Sequence, residues 1–198
     1  MNTNETIIVM GRSGSGKGTQ IKLLKEYITQ HHPQMNLVHY ESGQAFRNFI
    51  NAEGYTSELM RSIIESGTLA PDFITEWLLV NSFVKNMTEK DQVLILDGFP
   101  RTLNQAYTLD SAMDYYKREH IIVLNIDVSE DEVRTRMKER GRTDDQHEVI
   151  ESRIQWYNKN VIPTIDYFRH EPQYEVIDID GEQSIQDVQL EIINKLGL

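Results

Sequence analysis

Five short apolar segments recur along the chain: Thr6–Met10 (TIIVM), Leu37–Tyr40 (LVHY), Gln92–Asp97 (QVLILD), Ile121–Val128 (IIVLNIDV) and Tyr174–Ile179 (YEVIDI). The first, third and fourth are unbroken runs instead of alternating ones, the pattern of strands covered on both faces. Helical spacing fills the intervals. Ile21, Leu24 and Ile28, flanked by Leu23 and Tyr27, form a stripe that His32 and Pro33 close. Pro71 suits the first turn of a helix on which Phe73, Ile74, Trp77, Leu78 and Val84 are expected to share one face. Ser184, with Asp187 three residues on, resembles a capping box and starts the last helix. Strands alternating with helices predict right-handed crossovers and an α/β, doubly wound parallel sheet of five strands with helices on both faces. Ligands of such sheets bind beyond the carboxyl ends of the strands. Residues 41–70 hold two helix-like pieces and no strand, so they are expected to project as a small helical insertion on a single domain spanning 1–198.

Composition narrows the partners. The 198 residues carry a net charge of −11, which speaks against nucleic acid, whose binding needs many cations facing phosphates. Against that acidity, Arg136, Arg140 and Arg142 crowd into a short stretch that invites a polyanion. No apolar run approaches the roughly 18 residues of a membrane helix. The N-terminal segment lacks the basic flank and apolar stretch of a secretory leader. Cysteine is absent, which removes disulfides and thiolate metal sites and fits a reducing, cytoplasmic compartment.

The segment Gly11-Arg12-Ser13-Gly14-Ser15-Gly16-Lys17-Gly18-Thr19 follows a buried strand and opens a helix, the context of a phosphate-binding loop. Glycines let successive amides point at an anion, the helix N-terminus adds partial positive charge, and Lys17 would reach the terminal phosphates. Two other readings compete. A dinucleotide fingerprint starting at Gly14 would need glycine where Thr19 stands. A ligand-free glycine turn would leave the lysine and its spacing unexplained. Gly18 takes the place where a hydroxyl residue usually ligates Mg²⁺, so a metal would be held mainly by phosphates and water.

Together with Glu41–Arg47 (ESGQAFR), Ser66–Asp72 (SGTLAPD), Asp97–Ala106 (DGFPRTLNQA) and Arg136–Asp145 (RMKERGRTDD), followed by Arg153, this loop resembles the adenylate kinases, a branch of the nucleoside monophosphate kinases. The resemblance runs from about residue 7 to beyond Gly181. It implies transfer of the γ-phosphoryl of Mg-ATP to AMP, giving two ADP, on a P-loop sheet with a monophosphate-binding insertion at 41–70 and a minimal lid at 139–145. It places Gly14, Ser15, Gly16, Lys17, Gly18, Thr19, Arg136, Arg140, Gly181 and Gln183 around ATP. It places Ser42, Arg47, Thr68, Leu69, Ala70, Gly98, Phe99, Pro100, Arg101, Gln105, Arg142 and Arg153 around AMP. Lys17, Arg101, Arg140, Arg142 and Arg153 would carry catalysis, Asp144 would orient the arginines, and Asp97 would organise Mg²⁺ through water. A monomer is expected. Ser42 and Thr102 favour AMP over UMP or CMP, where the family commonly has alanine and asparagine, and the side-chain amide of Gln105 suits adenine.

Chemistry supports the lid independently. Arg136 and Arg140 share a helix face, Gly141 can end that helix, and Asp145 with Glu148 can begin the next. A solvated basic hairpin is the competing reading. The chain departs from the family at Gln44, usually Asp, and at Ser13, often proline. Its lid has no room for the longer, sometimes zinc-bearing insertion, so zinc is not expected. The six histidines lack metal-ligand spacing. Two alternatives stay open: a kinase for UMP, CMP or dAMP, and a nucleotide-sensing module that has lost activity.

Overall fold

The computed structural model describes residues 4–65, 70–140 and 147–198. Five parallel strands, β1 (Thr6–Met10), β2 (Asn36–Glu41), β3 (Gln92–Asp97), β4 (Ile121–Asp127) and β5 (Tyr174–Asp180), form one sheet in the order β2-β3-β1-β4-β5. From β1 the chain runs out to β2 at one edge, comes back to β3 between β2 and β1, and then crosses to β4 and β5 on the other side. The strand order therefore reverses at β1, which opens a crevice at its carboxyl end. Register places Asp97 beside both Val9 and Glu41, and Asn125 beside Met10, so the polar residues that end the strands stand in a row along one rim.

The continuous apolar runs follow from the layers. Ile8, Leu94, Leu96 and Val123 pack under helices α4 (Asp72–Asn86), α5 (Leu103–Tyr115) and α8 (Ile162–His170), meeting Leu79, Leu109 and Phe168. Ile7, Val9, Ile95 and Leu124 pack on the other face against α1 (Lys17–His31) and α9 (Ile185–Lys195), meeting Leu24 and Ile192. Alternate residues of one strand thus enter two different cores. The strand boundaries differ from the sequence-based ones by one residue at most.

Two smaller clusters carry the peripheral helices. Met60, Ile74 and Leu78, with Phe46, Phe49 and Ile50, seat α2 (Ser42–Ile50) and α3 (Tyr55–Glu65) on α4. Val128, Val133, Met137, Ile150 and Ile154 join α6 (Glu130–Arg140) to α7 (His147–Trp156). A π-helical turn, Tyr157–Val161, connects α7 directly to α8.

One sequence-based expectation is corrected. The buried face of α4 is Ile74, Thr75, Leu78, Leu79 and Phe83, whereas Phe73 and Val84 are 68% and 74% exposed. The residues of this helix fall into three groups. Leu79 and Phe83 pack on the sheet, Ile74 and Leu78 meet α2 and α3, and Phe73, Trp77, Val80 and Val84 lie on the outer side, where Trp77 rests edge-on against Phe49. The Ser184 cap is present, its Oγ accepting from the Asp187 amide. The Asp187 carboxylate receives the Ser184 hydroxyl instead of reaching back to its amide.

Gly181, just past β5, donates its N–H to Asp127 O at 2.8 Å, and a Cβ there would lie 2.6 Å from Val128 Cγ2 and 2.8 Å from Asp127 O. Gly181→Ala should therefore cost about 1–3 kcal/mol by overpacking. In urea unfolding the midpoint should fall while the slope stays unchanged.

Candidate active site

The glycine loop leaves the end of β1 and becomes α1. Gly16 is the N-cap residue at φ 94°, a left-handed conformation that glycine adopts without strain. Gly11 presses against the backbone of β4, where a Cβ would come within 2.5 Å of Ile126 O. The loop closes on itself through Ser15 N to Arg12 O at 3.1 Å, and Lys17 Nζ donates to Gly11 O and Arg12 O, both at 2.8 Å. The ammonium is thus stored on the loop's own carbonyls. Protein encloses it on every side but the cleft, and this desolvation pushes its pKa down to about 8, with Asp97 opposing and Arg101 and Arg140 adding to the fall.

Asp97 ends β3 on the same rim. Burial raises its pKa, Lys17 lowers it and Glu41 raises it again. The next residues turn through a cis Phe99–Pro100 bond and place Arg101 back over Gly98, with Nε on Gly98 O at 2.7 Å and Nη2 on Ser42 Oγ at 3.4 Å. Ser42 itself donates to Gly98 O at 3.0 Å. Burial also lowers the Arg101 pKa, against Asp97.

Glycine loop, strand ends and arginine helices enclose one cleft of about 1700 Å³. Gly14, Gly16, Lys17, Gly18, Thr19, Ser42, Arg47, Asp97, Gly98, Pro100, Arg101, Arg136, Arg140 and Arg153 all line it. Its described wall carries eight lysines and arginines against three carboxylates, in a chain of net charge −11. Such a concentration of cations is costly without an anionic ligand. Lys17 beneath the loop and arginines arriving from four separate segments suit a chain of phosphates.

Other expected residues sit elsewhere. Ser15 is buried under the loop, and Phe99 belongs to the sheet core. Ala70 packs with the cluster of Met60, Ile74 and Leu78. Gly181 makes the backbone contact with β4, and Gln183 Nε2 donates to Asp180 O and to Glu191 at 2.7 Å, away from the cleft wall. Gln105 is buried, its Oε1 accepting from Arg101 N and its Nε2 donating to Asp72 Oδ1, both at 2.8 Å. One lone pair and one N–H of that amide remain uncommitted to these two partners. Thr68, Leu69, Gly141, Arg142, Asp144 and Asp145 lie outside the described residues.

Three residues of the site carried no assignment in the sequence. Asp72 receives Gln105, Thr102 Oγ1 (3.2 Å) and Asn104 Nδ2 (3.3 Å), so it holds the turn that carries Arg101. Its place after a proline at a helix start is the only local hint. Arg12 donates to Asp127 Oδ1 and Val128 O at 3.1 Å and to Asn158 Oδ1 at 3.2 Å, and lies 4.7 Å from the Tyr157 ring centroid. Asn158 in turn donates to Glu130 at 2.8 Å, so the loop is tied to the start of α6 and to the π-helical turn after α7. Glu41 pairs with Arg47 at 2.7 Å.

A glycine loop between a central strand and a helix, with a lysine and converging arginines at the sheet's switch point, defines a P-loop phosphoryl-transfer fold. The family model for adenylate kinase matches residues 9–173. The adenylate kinase of Corynebacterium urealyticum is 33% identical over 184 residues, covering 92% of this chain and 93% of that protein. The adenylate kinase of Flavobacterium psychrophilum is 32% identical over 198 aligned positions, covering 96% and 98%. That of Petrotoga mobilis is 30% identical, covering 96% of each. The chain belongs to the adenylate kinase family.

The depressed Lys17 pKa has a consequence for anion binding. Its folded value lies below the ordinary lysine value of 10.5, so the buried ammonium costs stability below about pH 8, and that cost is relieved as pH rises towards 10.5. The same rise removes the charge that phosphates need. Affinity for inorganic tripolyphosphate should therefore fall above about pH 8, and binding there should take up a proton. Calorimetry in buffers of different ionisation heat measures this uptake, and Lys17→Met should abolish it.

Proposed function

We propose that this chain moves the γ-phosphoryl group of ATP to AMP, reversibly, giving two molecules of ADP. The observation that carries this reading is the meeting of Lys17, Asp97 and Arg101 at the carboxyl ends of β1 and β3 inside one cation-rich cleft. An oxygen of the AMP phosphate attacks the γ-phosphorus, and the bond to the β,γ-bridging oxygen breaks. That oxygen leaves as part of ADP. The acceptor oxygen is already anionic, so no general base is needed, and catalysis rests on positioning and charge neutralisation.

In this reading the loop amides of Gly14 to Thr19 and Lys17 hold the ATP phosphates, and Arg136 lies against the nucleoside end. Arg47 and Arg101 hold the acceptor phosphate, with Ser42 and Gly98 fixing the Arg101 side chain between them. Arg140 and Arg153, joined by Arg142, neutralise the group in transit. Gln105, pinned by Asp72 in a fixed plane, offers its remaining donor and acceptor to adenine. The donor set fits Mg²⁺: a carboxylate at Asp97 with phosphates and water suits an ion that keeps several waters and rarely takes an all-protein cage. Bound there through water, Mg²⁺ would supply charge neutralisation of the β and γ phosphates. The insertion at 41–70 and the lid at 139–145 close over the two nucleotides and exclude water, so that ATP is not hydrolysed.

A coupled assay of ADP formation tests the reaction, with AMP, dAMP, UMP and CMP as acceptors, and AMP should be fastest. Nucleotide binding with no transfer to any acceptor would leave a sensing module in its place. Lys17→Ala and Arg101→Ala should each lower kcat by about 10³- to 10⁵-fold. Near-native turnover of either variant would remove the role given to that residue.

A further inference from the structure

Glu41 is the last residue of β2 and the N-cap residue of α2, yet its side chain caps no amide. Its Oε1 instead accepts from Arg47 Nη2 at 2.7 Å, and the same nitrogen donates to Gln44 Oε1 at 2.9 Å. The pair lies across the first turn of the helix, over Gly43. A Cβ on Gly43 would come within 3.2 Å of Arg47 Nη1 and 3.6 Å of Glu41 Oε1, so the bare glycine leaves room for the two side chains to meet. Glu41, Gly43, Arg47, Asp97 and Arg101 all line the cleft. Sheet register sets Glu41 directly beside Asp97.

This arrangement is electrostatically unusual for a residue next to an anion site. A helix N-terminus already favours negative charge, and the carboxylate placed there spends itself on the one guanidinium of α2. A phosphate approaching Arg47 meets a nitrogen already occupied by a carboxylate, with a second carboxylate, Asp97, on the neighbouring strand. We propose that Glu41 is an internal competitor for the acceptor's phosphate: it holds Arg47 until the phosphate displaces it. Acceptor binding is then an exchange of one anion for another on Arg47, and Glu41 sets its affinity. The proposal rests on the reading of Arg47 as a ligand of the acceptor phosphate. It assigns to Glu41 a role in specificity and affinity without contact to the reacting atoms.

The test is the Glu41→Gln variant, which keeps the side chain's shape and removes its charge. AMP titrated into wild type and variant should show the Kd falling about three- to fivefold in the variant, the range an exposed ion pair can supply. The Kd of ATP should stay within twofold. In an Arg47→Ala background the same substitution should change the AMP Kd no further, a result that a general structural effect would not give. An AMP Kd that is unchanged in Glu41→Gln overturns the proposal. So does a weaker one, which would make the carboxylate an aid to positioning Arg47. Wild-type protein that forms no ADP from ATP and AMP would overturn the acceptor reading and this proposal together. Normal wild-type transfer with an unshifted Kd overturns this proposal alone.

Discussion

A lysine kept partly out of water beside an aspartate, at the ends of two neighbouring parallel strands, is the constraint around which the rest of the molecule is arranged. Lys17 rests on two carbonyls of its own loop and feels Asp97 as its strongest opposing charge. Burial disfavours the charge of each group, and the other's opposite charge opposes that effect. Fixing them requires β1 and β3 to be adjacent and in register, and β2 lies outside β3. The strand order is the topology that brings a loop lysine and a strand-end carboxylate to one rim.

Charge elsewhere is arranged to leave the cleft positive. On α6, Arg134 is engaged by Glu130, Asp131 and Glu151, and Arg136 is steadied by Glu132 at 2.7 Å. Exposed pairs of this kind add little stability singly. Arg134 is held on the helical hairpin in this way, whereas Arg136, Arg140 and Arg153 line the cavity. The surplus of acid resides largely outside the cleft, so an acidic chain presents a basic interior to its ligand.

Much of this was legible in the chain. Strands buried on both faces leave continuous apolar runs, and the glycine loop, the Asp97–Arg101 turn and the arginine cluster are local patterns with local causes. What was not legible depended on distant partners. The outer stripe of α4 could not be told from its inner face, because the helix packs against both the sheet and α2 and α3, and both leave apolar marks on it. Asp72 acquires its role from residues about thirty positions away, and Arg12 from residues more than a hundred away. Glu41 reads as an ordinary strand end until α2 folds Arg47 back across Gly43. Gln105 was legible as a useful amide, but its buried clasp on Arg101 and Asp72 was not.

The rod formed by α7, the π-helical turn and α8 makes a last geometric point. In the π turn the Ile162 amide bonds to Tyr157 O, five residues back, so the helix takes in one extra residue at mid-length. Each residue of an α-helix turns the chain by about 100°. Everything before the turn is therefore rotated by that angle relative to an unbroken helix. This single slip lets one continuous rod serve two masters: Ile165 and Phe168 bury themselves against the sheet while Arg153, a dozen residues earlier, swings round to look into the cavity.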